Sequence, residues 1–404
     1  MRVIDGLGDT PTEDGEVAYR NGVLTYVGPY RGDEISGADS SLPRRDMHGF
    51  TALPGFIDCH VHFAAGGIAP WQAGGMFASH FHLVTADNMR QTLEAGVTSA
   101  RDLAGVDSGF RDAALAGLLR APRLSLAVGA ISPTGGHTDF VLPNGNAIPL
   151  APRDISTVAD SDDEIRKTVR RLVRSGADVI KVCASGGITS STSNPDDIGV
   201  PERQMRMIVE EASLRGGLPI AAHAQGAEGI RAAVRAGVSS VEHGYAIRPD
   251  TVEAMITQGT FLVPTLSAAL NLPDPTMVPR YLWEKKKRWS VIARKHLSQA
   301  LTSGVKVAMG SDAGACPHGR NLAELGHMTD LGMSPMQAIT SGTKHAAELI
   351  GLSQHVGTLE AGKYADLVLT ECDPLWDIKA LAYPAAVQVV VQGGSVVKDI
   401  TSVP

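Results

Sequence analysis

At 404 residues, with 43% hydrophobic and 20% charged side chains, the chain has a soluble globular composition and is too long for one small core. A formal net charge of -7 disfavours a general nucleic-acid or anionic-membrane surface, and no apolar run approaches the roughly 18 residues of a membrane span. Cys59, Cys183, Cys316 and Cys372 are widely spaced without a CxxC, and Met1 leads into Asp5, Asp9 and Glu13 rather than a basic start with an apolar core. A reducing, cytoplasmic setting is the expectation.

Residues 1 to 53 alternate short β-like runs, Glu16–Tyr19 and Val23–Val27, around an Asn21-Gly22 turn, as a β-hairpin requires. After Pro54-Gly55 comes Phe56-Ile57-Asp58-Cys59-His60-Val61-His62-Phe63, a short strand by its apolar content and lack of helical period. Its alternation puts His60 and His62 on one face, with Cys59 and Val61 on the other. The same spacing in His80-Phe81-His82 shows that the pair alone is a weak signal. From there β-like runs and helical stretches take turns. The runs are Val97–Arg101, Leu124–Val128, Asp178–Val182, Pro219–His223, Ser240–His243, Phe261–Pro264 and Val305–Met309. Most follow a helical stretch closed by a glycine, such as Gly96 or Gly237, which supplies a left-handed cap.

Repeated β-then-α units predict parallel strands with crossover helices, and eight of them predict a (β/α)8 TIM barrel over residues 54–357. The last stretch returns to β-like runs, Asp366–Leu369, Val387–Val391 and Val396-Val397 after the Gly393-Gly394 turn. Each end alone is too small to bury a core. The economical reading is one small composite β-sandwich domain built from both termini, residues 1–53 and 358–404, with the barrel inserted.

The ionisable residues fall in phase on that framework. His60 and His62 close strand one, Lys181 lies in strand four, His223 ends strand five, His243 ends strand six, and Asp312 follows strand eight. A barrel assembles its chemistry at these strand ends. Any one of the histidines alone is better explained as a satisfied core or loop residue; six positions in phase are not. Four imidazoles and a carboxylate suit zinc or a similar divalent metal. Lys181 is the odd member, because an ammonium repels a cation. Burial and nearby cations favour the neutral amine. That amine can take up carbon dioxide as a carbamate, whose two oxygens bridge two metals. A structural lysine reaching solvent past the rim is the plain alternative.

These residues resemble the amidohydrolase superfamily of the binuclear-metal, carboxylated-lysine type. Within it the chain is similar to the Xaa-Pro dipeptidase-like and arginine or lysine carboxypeptidase-like group related to imidazolonepropionase. The resemblance rests on Leu53–His62, Gly135-Gly136-His137, Ile180–Gly187, Ala222-His223-Ala224, Val241–Gly244, Gly310-Ser311-Asp312 and Gly357–Leu367, and covers nearly the whole chain. It implies one metal on His60, His62, Lys181 and Asp312, and a second on Lys181, His223 and His243, with Lys181 as N-carboxylysine formed from carbon dioxide. Two cations about 3.5–4 Å apart lower the pKa of a bridging water. The resemblance makes Asp312 the catalytic proton carrier. It sets His137 over the substrate carbonyl or carboxylate, and Gly186, Gly187 and Gln225 at the substrate.

The implied reaction is hydrolysis of an amide C–N bond. The implied substrate is an N-acyl amino acid or dipeptide, a xenobiotic amide such as a mycotoxin–amino acid conjugate included, and the implied assembly is a homo-oligomer. The enzymatic rival is a cyclic amide, carbamate or urea hydrolase on the same metals. A non-catalytic barrel binding protein with a relic site is the alternative from another class, which the intact six residues oppose. Two departures stand out. Gln225 replaces the Tyr or His with which relatives grip a C-terminal carboxylate. The chain also begins at Arg2-Val3-Ile4 without the first terminal strand of many relatives, as if one strand were missing or the start misassigned.

Other features are set aside. Gly357–Lys363 has phosphate-loop spacing, but Tyr364 stands where Ser or Thr should bind magnesium. Neither a GxSxG elbow nor a dinucleotide fingerprint is present. Trp283–Trp289 reads as a solvated helix face, with its aromatics as an alternative lid over the barrel mouth. Cys183 is expected as a small buried side chain. Trp71 and Met76 are candidate pocket walls.

Overall fold

The computed structural model describes residues 1–32, 44–65, 76–141, 146, 157–401 and 403. Trp71 lies outside them. The N-terminal segment forms β1 (Arg2–Val3), the hairpin β2 (Gly15–Arg20) and β3 (Val23–Pro29), and β4 (Thr51–Pro54). Asn21 and Gly22 both take left-handed backbone, φ 53° and 81°, the turn that matches the twist of a two-residue hairpin.

Only Gly55 separates β4 from the first barrel strand, β5 (Phe56–Val61). Then come β6 (Val97–Asp102), β7 (Arg123–Leu126), β8 (Ala130–Ile131), β9 (Ile180–Cys183), β10 (Ile220–Ala224), β11 (Ser240–His243) and β12 (Phe261–Val263). All pair in parallel, β5-β6-β7 in one sheet and β8-β9-β10-β11-β12 in another. Backbone bonds close the ring. Asp178 N–H donates to Leu126 O (2.7 Å), Ala308 N–H to Leu262 O (3.0 Å) and Cys59 N–H to Met309 O (2.8 Å). The expected third strand is split: β7 pairs with strand two and β8 with strand four, and between them Val128 stands at φ 65°. A β-branched residue in that region is costly, so the break is held by its surroundings.

Side-chain alternation decides what faces the barrel. On β5, Ile57 and Cys59 pack outward with Ala346, Ala347 and Leu349 of the helix Lys344–Leu349, while the intervening Asp58 and His60 point the other way.

The C-terminal strands β13 (Leu367–Thr370), β14 (Val387–Gln392) and β15 (Ser395–Asp399) complete a five-stranded sheet ordered β1-β4-β13-β14-β15. Both termini therefore build one sheet. Its inner strands β4 and β13 are buried along their whole length because both faces are covered, while the edge strand β15 is largely exposed. Leu367, Leu369, Val389 and Val391 join a separate small core, whereas Val368, Val387 and Val390 pack into the barrel's core.

The sheet seals the barrel at the strands' N-terminal ends, opposite the chemistry. Gln392 Nε2 donates to Thr98 O (2.8 Å) and Ala121 O (3.2 Å). Buried Asp366 accepts from Arg123 Nη1 (2.8 Å) and Gly393 N–H (2.7 Å). Asp366→Ala strands these donors at the junction. It is expected to destabilise the protein by about 2 kcal/mol, read as a lower midpoint in urea unfolding.

Candidate functional site

The barrel strands deliver His60, Lys181, His223 and His243 to one end, each at most 3% exposed. His62 follows β5 and Asp312 follows the last strand segment. Each of the four imidazoles has one ring nitrogen engaged by the chain itself. His60 Nδ1 lies 2.8 Å from Glu242 Oε2, and His62 Nδ1 lies 3.0 Å from Ala104 O. His223 Nε2 lies 3.0 Å from Gly186 O, and His243 Nδ1 lies 2.7 Å from Thr265 Oγ1. An N–H donated to such an acceptor makes the opposite ring nitrogen the lone-pair atom. That is how histidine ligands are oriented.

His60, His243 and Asp312 offer donor atoms within 4.8 Å of one another, a spacing that could hold a metal ion. Asp312 Oδ1 is 3.5 Å from His62 Nε2 and 3.7 Å from His60 Nε2. The ring centroids of His60 and His243 are 5.0 Å apart, and those of His223 and His243 are 4.6 Å apart. His137 stacks on His223 at 3.9 Å with 14° between the planes. Two atoms inside this group, Lys181 Nζ and His137 Nδ1, are buried without a hydrogen-bond partner. Such groups are rare in native proteins and ask for a reason.

Burial dominates the electrostatics. It lowers the pKa of His60, His223 and His243 well below the usual imidazole range, with Lys181 and neighbouring histidines adding to the effect. The same cause brings His137 down to about 3, with Lys181, His62 and Lys285 contributing. Burial also pulls the Lys181 amine down, opposed by Glu242. Asp312 is pushed up to about 7 by burial, while Lys181 and Lys286 act against the shift. Imidazoles that stay neutral near neutral pH are competent metal ligands.

The backbone that presents these groups is unusual. His243, Thr265 and Asp312, at the ends of strands six, seven and eight, have φ of 74°, 48° and 58°. Left-handed backbone at non-glycine residues costs about 1–3 kcal/mol each and persists only where neighbours enforce it. Asp58 supplies that support beside Asp312. Its carboxylate accepts from His60 N–H (3.0 Å), Ser311 N–H (3.0 Å), Ser311 Oγ (2.5 Å) and Asn321 Nδ2 (2.8 Å), tying strand one to the Asp312 loop.

The expected substrate residues are tightly built in. A Cβ on Gly187 would stand 2.1 Å from His137 Nδ1, and one on Gly186 would stand 2.2 Å from Asn194 O. Gly186 N–H already donates to Asp197 O (2.9 Å), and Gln225 Oε1 accepts from Ile188 N–H (3.0 Å). The basic run Trp283–Trp289 is solvated only in part, with Glu284, Lys287 and Arg288 exposed. Trp289 and Lys286 are buried, and Lys285 Nζ reaches from the helix Arg280–Leu301 to Ser190 O (2.8 Å) and Ser193 O (2.6 Å). Lys286 Nζ binds Ala268 O (2.8 Å) and Asn271 O (3.0 Å). His80 and His82 lie on the helix Ala78–Glu94, outside the set.

Residues 51–397 match the model of the amidohydrolase family. The chain is a member of this family. It is 31% identical to ochratoxinase from Aspergillus niger over 98% of this chain and 85% of that protein. Its fold superposes on a prolidase complexed with N-methylphosphonate-L-proline with a TM-score of 0.89, at 30% identity over 98% of both chains. On a Xaa-Pro dipeptidase with bound methionine the TM-score is 0.86, at 28% identity over 98% of this chain and 97% of the other. As an amidohydrolase the chain is a metal-dependent hydrolase acting on C–N bonds, built as a TIM barrel with an extra domain. No helix among the described residues is long and apolar enough to cross a membrane.

Asp58, Glu242, Arg101 and Thr265, which hold the amidohydrolase histidines in place, do not stand out in the sequence. None carries a signal of its own: Arg101 stands beside Asp102 in β6 and Glu242 beside His243 in β11. Gly310 is equally constrained, since a Cβ there would stand 2.3 Å from Val263 Cγ1 and 2.8 Å from His60 Cβ. Gly310→Ala is expected to destabilise by about 1–3 kcal/mol through overpacking, measured by denaturant unfolding of the metal-free protein.

Proposed function

We propose that the chain hydrolyses the amide bond of an N-acyl amino acid or dipeptide-like substrate. Two divalent cations would be held by His60, His62, Lys181, His223, His243 and Asp312. The observation that carries the reading is the orphaned, buried Lys181 Nζ among imidazoles whose other nitrogens are already spoken for. Lys181 lies on β9, beside the strand β10 that carries His223. An amine kept neutral by burial adds carbon dioxide, forming an N–C bond and releasing one proton. The resulting carbamate presents two oxygens where the amine left a bare nitrogen. The donor atoms of His60 and His243 lie in one group with Asp312, although the resemblance assigns the two histidines to different cations.

Bound divalent cations, zinc being favoured by this donor set, lower the pKa of a water and polarise the scissile carbonyl. Asp312 takes the proton from the attacking water and hands it to the leaving amine nitrogen. Its position 3.5 Å from His62 Nε2 and 3.7 Å from His60 Nε2 suits it to carry that proton at the site. His137, neutral throughout, serves by hydrogen bonding to the substrate carbonyl or carboxylate rather than as an acid. Lys285 stands close enough to bear on the protonation of His137 and uses two of its three N–H donors on carbonyls. The third supports recognition of a substrate carboxylate on a side where Gln225 is neutral. The bound methionine and proline phosphonate of the two similar structures support an amino-acid-type substrate. The four free thiols suit a reducing, cytoplasmic setting.

Asp312→Ala is expected to lower kcat/KM by about 10²–10⁴-fold on a panel of zinc-supplemented N-acyl amino acids and dipeptides. Unchanged turnover after that substitution overturns the mechanism. Chelation is expected to abolish hydrolysis and added zinc to restore it. Lys285→Met is expected to raise KM for a substrate with a free carboxylate more than for its neutral amide, with kcat little changed.

A further inference from the structure

Behind His60 lies a small polar chain inside the barrel wall. Glu242 Oε2 receives His60 Nδ1 (2.8 Å), while Oε1 receives Arg101 Nη2 (2.8 Å) and Ser240 Oγ (2.5 Å). Arg101 Nε in turn donates to Cys59 O (2.6 Å), next to His60, and Nη1 donates to Ser240 Oγ (3.2 Å). Arg101, Ser240 and Glu242 are at most 1% exposed. The contacts link β5, β6 and β11, so strands one and six are joined through strand two.

Burying an ion pair is a poor route to stability, because desolvation offsets much of the attraction. Geometry gives it a different use. A histidine ring left alone can present either nitrogen to a cation. A carboxylate fixed behind Nδ1 accepts its proton, leaves Nε2 facing Asp312 and raises the basicity of that nitrogen. Arg101 holds the carboxylate in place and balances its charge, so direction is gained without adding net charge to the site.

We propose that Glu242, clamped by Arg101 and Ser240, is a positioning residue that locks His60 in the Nδ1–H tautomer and thereby sets the affinity of the His60 site for a divalent cation. This rests on the two-metal reading above. It also singles out the carboxylate rather than mere polarity. Glu242 accepts from three donors on two oxygens. A glutamine has one acceptor oxygen and adds an NH2, so either Arg101 is stranded or the His60 ring must invert.

The test uses the full-length metal-free protein, titrated with zinc alone against a competing chelator. Glu242→Gln is expected to weaken one zinc ion by about 10–100-fold, and Glu242→Asp, which keeps the charge, is expected to recover part of that loss. In the wild-type metal-free protein, nitrogen NMR of the His60 ring, assigned with His60→Asn, is expected to show Nδ1 protonated. This second measurement stands even if Glu242→Gln does not fold. Zinc affinity within twofold of wild type in Glu242→Gln, or a protonated Nε2 on His60, overturns the inference and leaves the two-metal reading intact. A wild-type protein that binds no zinc overturns both.

Discussion

Everything at the top of this barrel answers to one constraint: several basic groups are confined where water is scarce. The buried imidazoles of His60, His137, His223 and His243 crowd together with a primary amine, and Asp312 and Glu242 face them. Desolvation and mutual repulsion keep the basic groups from collecting protons. Their lone pairs are therefore on offer at ordinary pH. A bare arrangement of this kind wastes polar atoms, and the unpartnered Lys181 Nζ shows the waste most plainly. The fold tolerates it because the small sheet at the opposite end, the outward packing of Ile57 and Cys59, and the continuous barrel core supply stability elsewhere.

Confinement alone would not orient anything. Orientation comes from acceptors that each claim one side of a ring: a carboxylate for His60, carbonyls for His62 and His223, a hydroxyl for His243. Strained backbone at His243, Thr265 and Asp312 then aims the side chains. Stability and function divide by barrel end, as this architecture generally allows.

Much of this was legible in the sequence. The two-residue period placed His60 and His62 on one face and Cys59 on the other, and strand ends in phase picked out Lys181, His223, His243 and Asp312. What could not be read was whatever depends on partners distant in the chain. Arg101 and Glu242 look like ordinary charges until β5, β6 and β11 bring them under His60. Trp283–Trp289 looks solvated because the carbonyls that receive its lysines come from Ser190, Ser193, Ala268 and Asn271. The break at Val128 had no local signal, since a valine in left-handed backbone runs against its own preference.

The ammonium groups of Lys285 and Lys286 stitch two mouth loops to a single long helix through charge–dipole contacts rather than ion pairs. Carbonyls receive both Nζ atoms, while Arg288 of the same helix reaches Asp196 Oδ2 at 3.6 Å. The loops after strands four and seven are also mechanically coupled. Widening the entrance between them means breaking carbonyl contacts on both sides of the helix, which makes this arc of the rim behave as one stiff jaw.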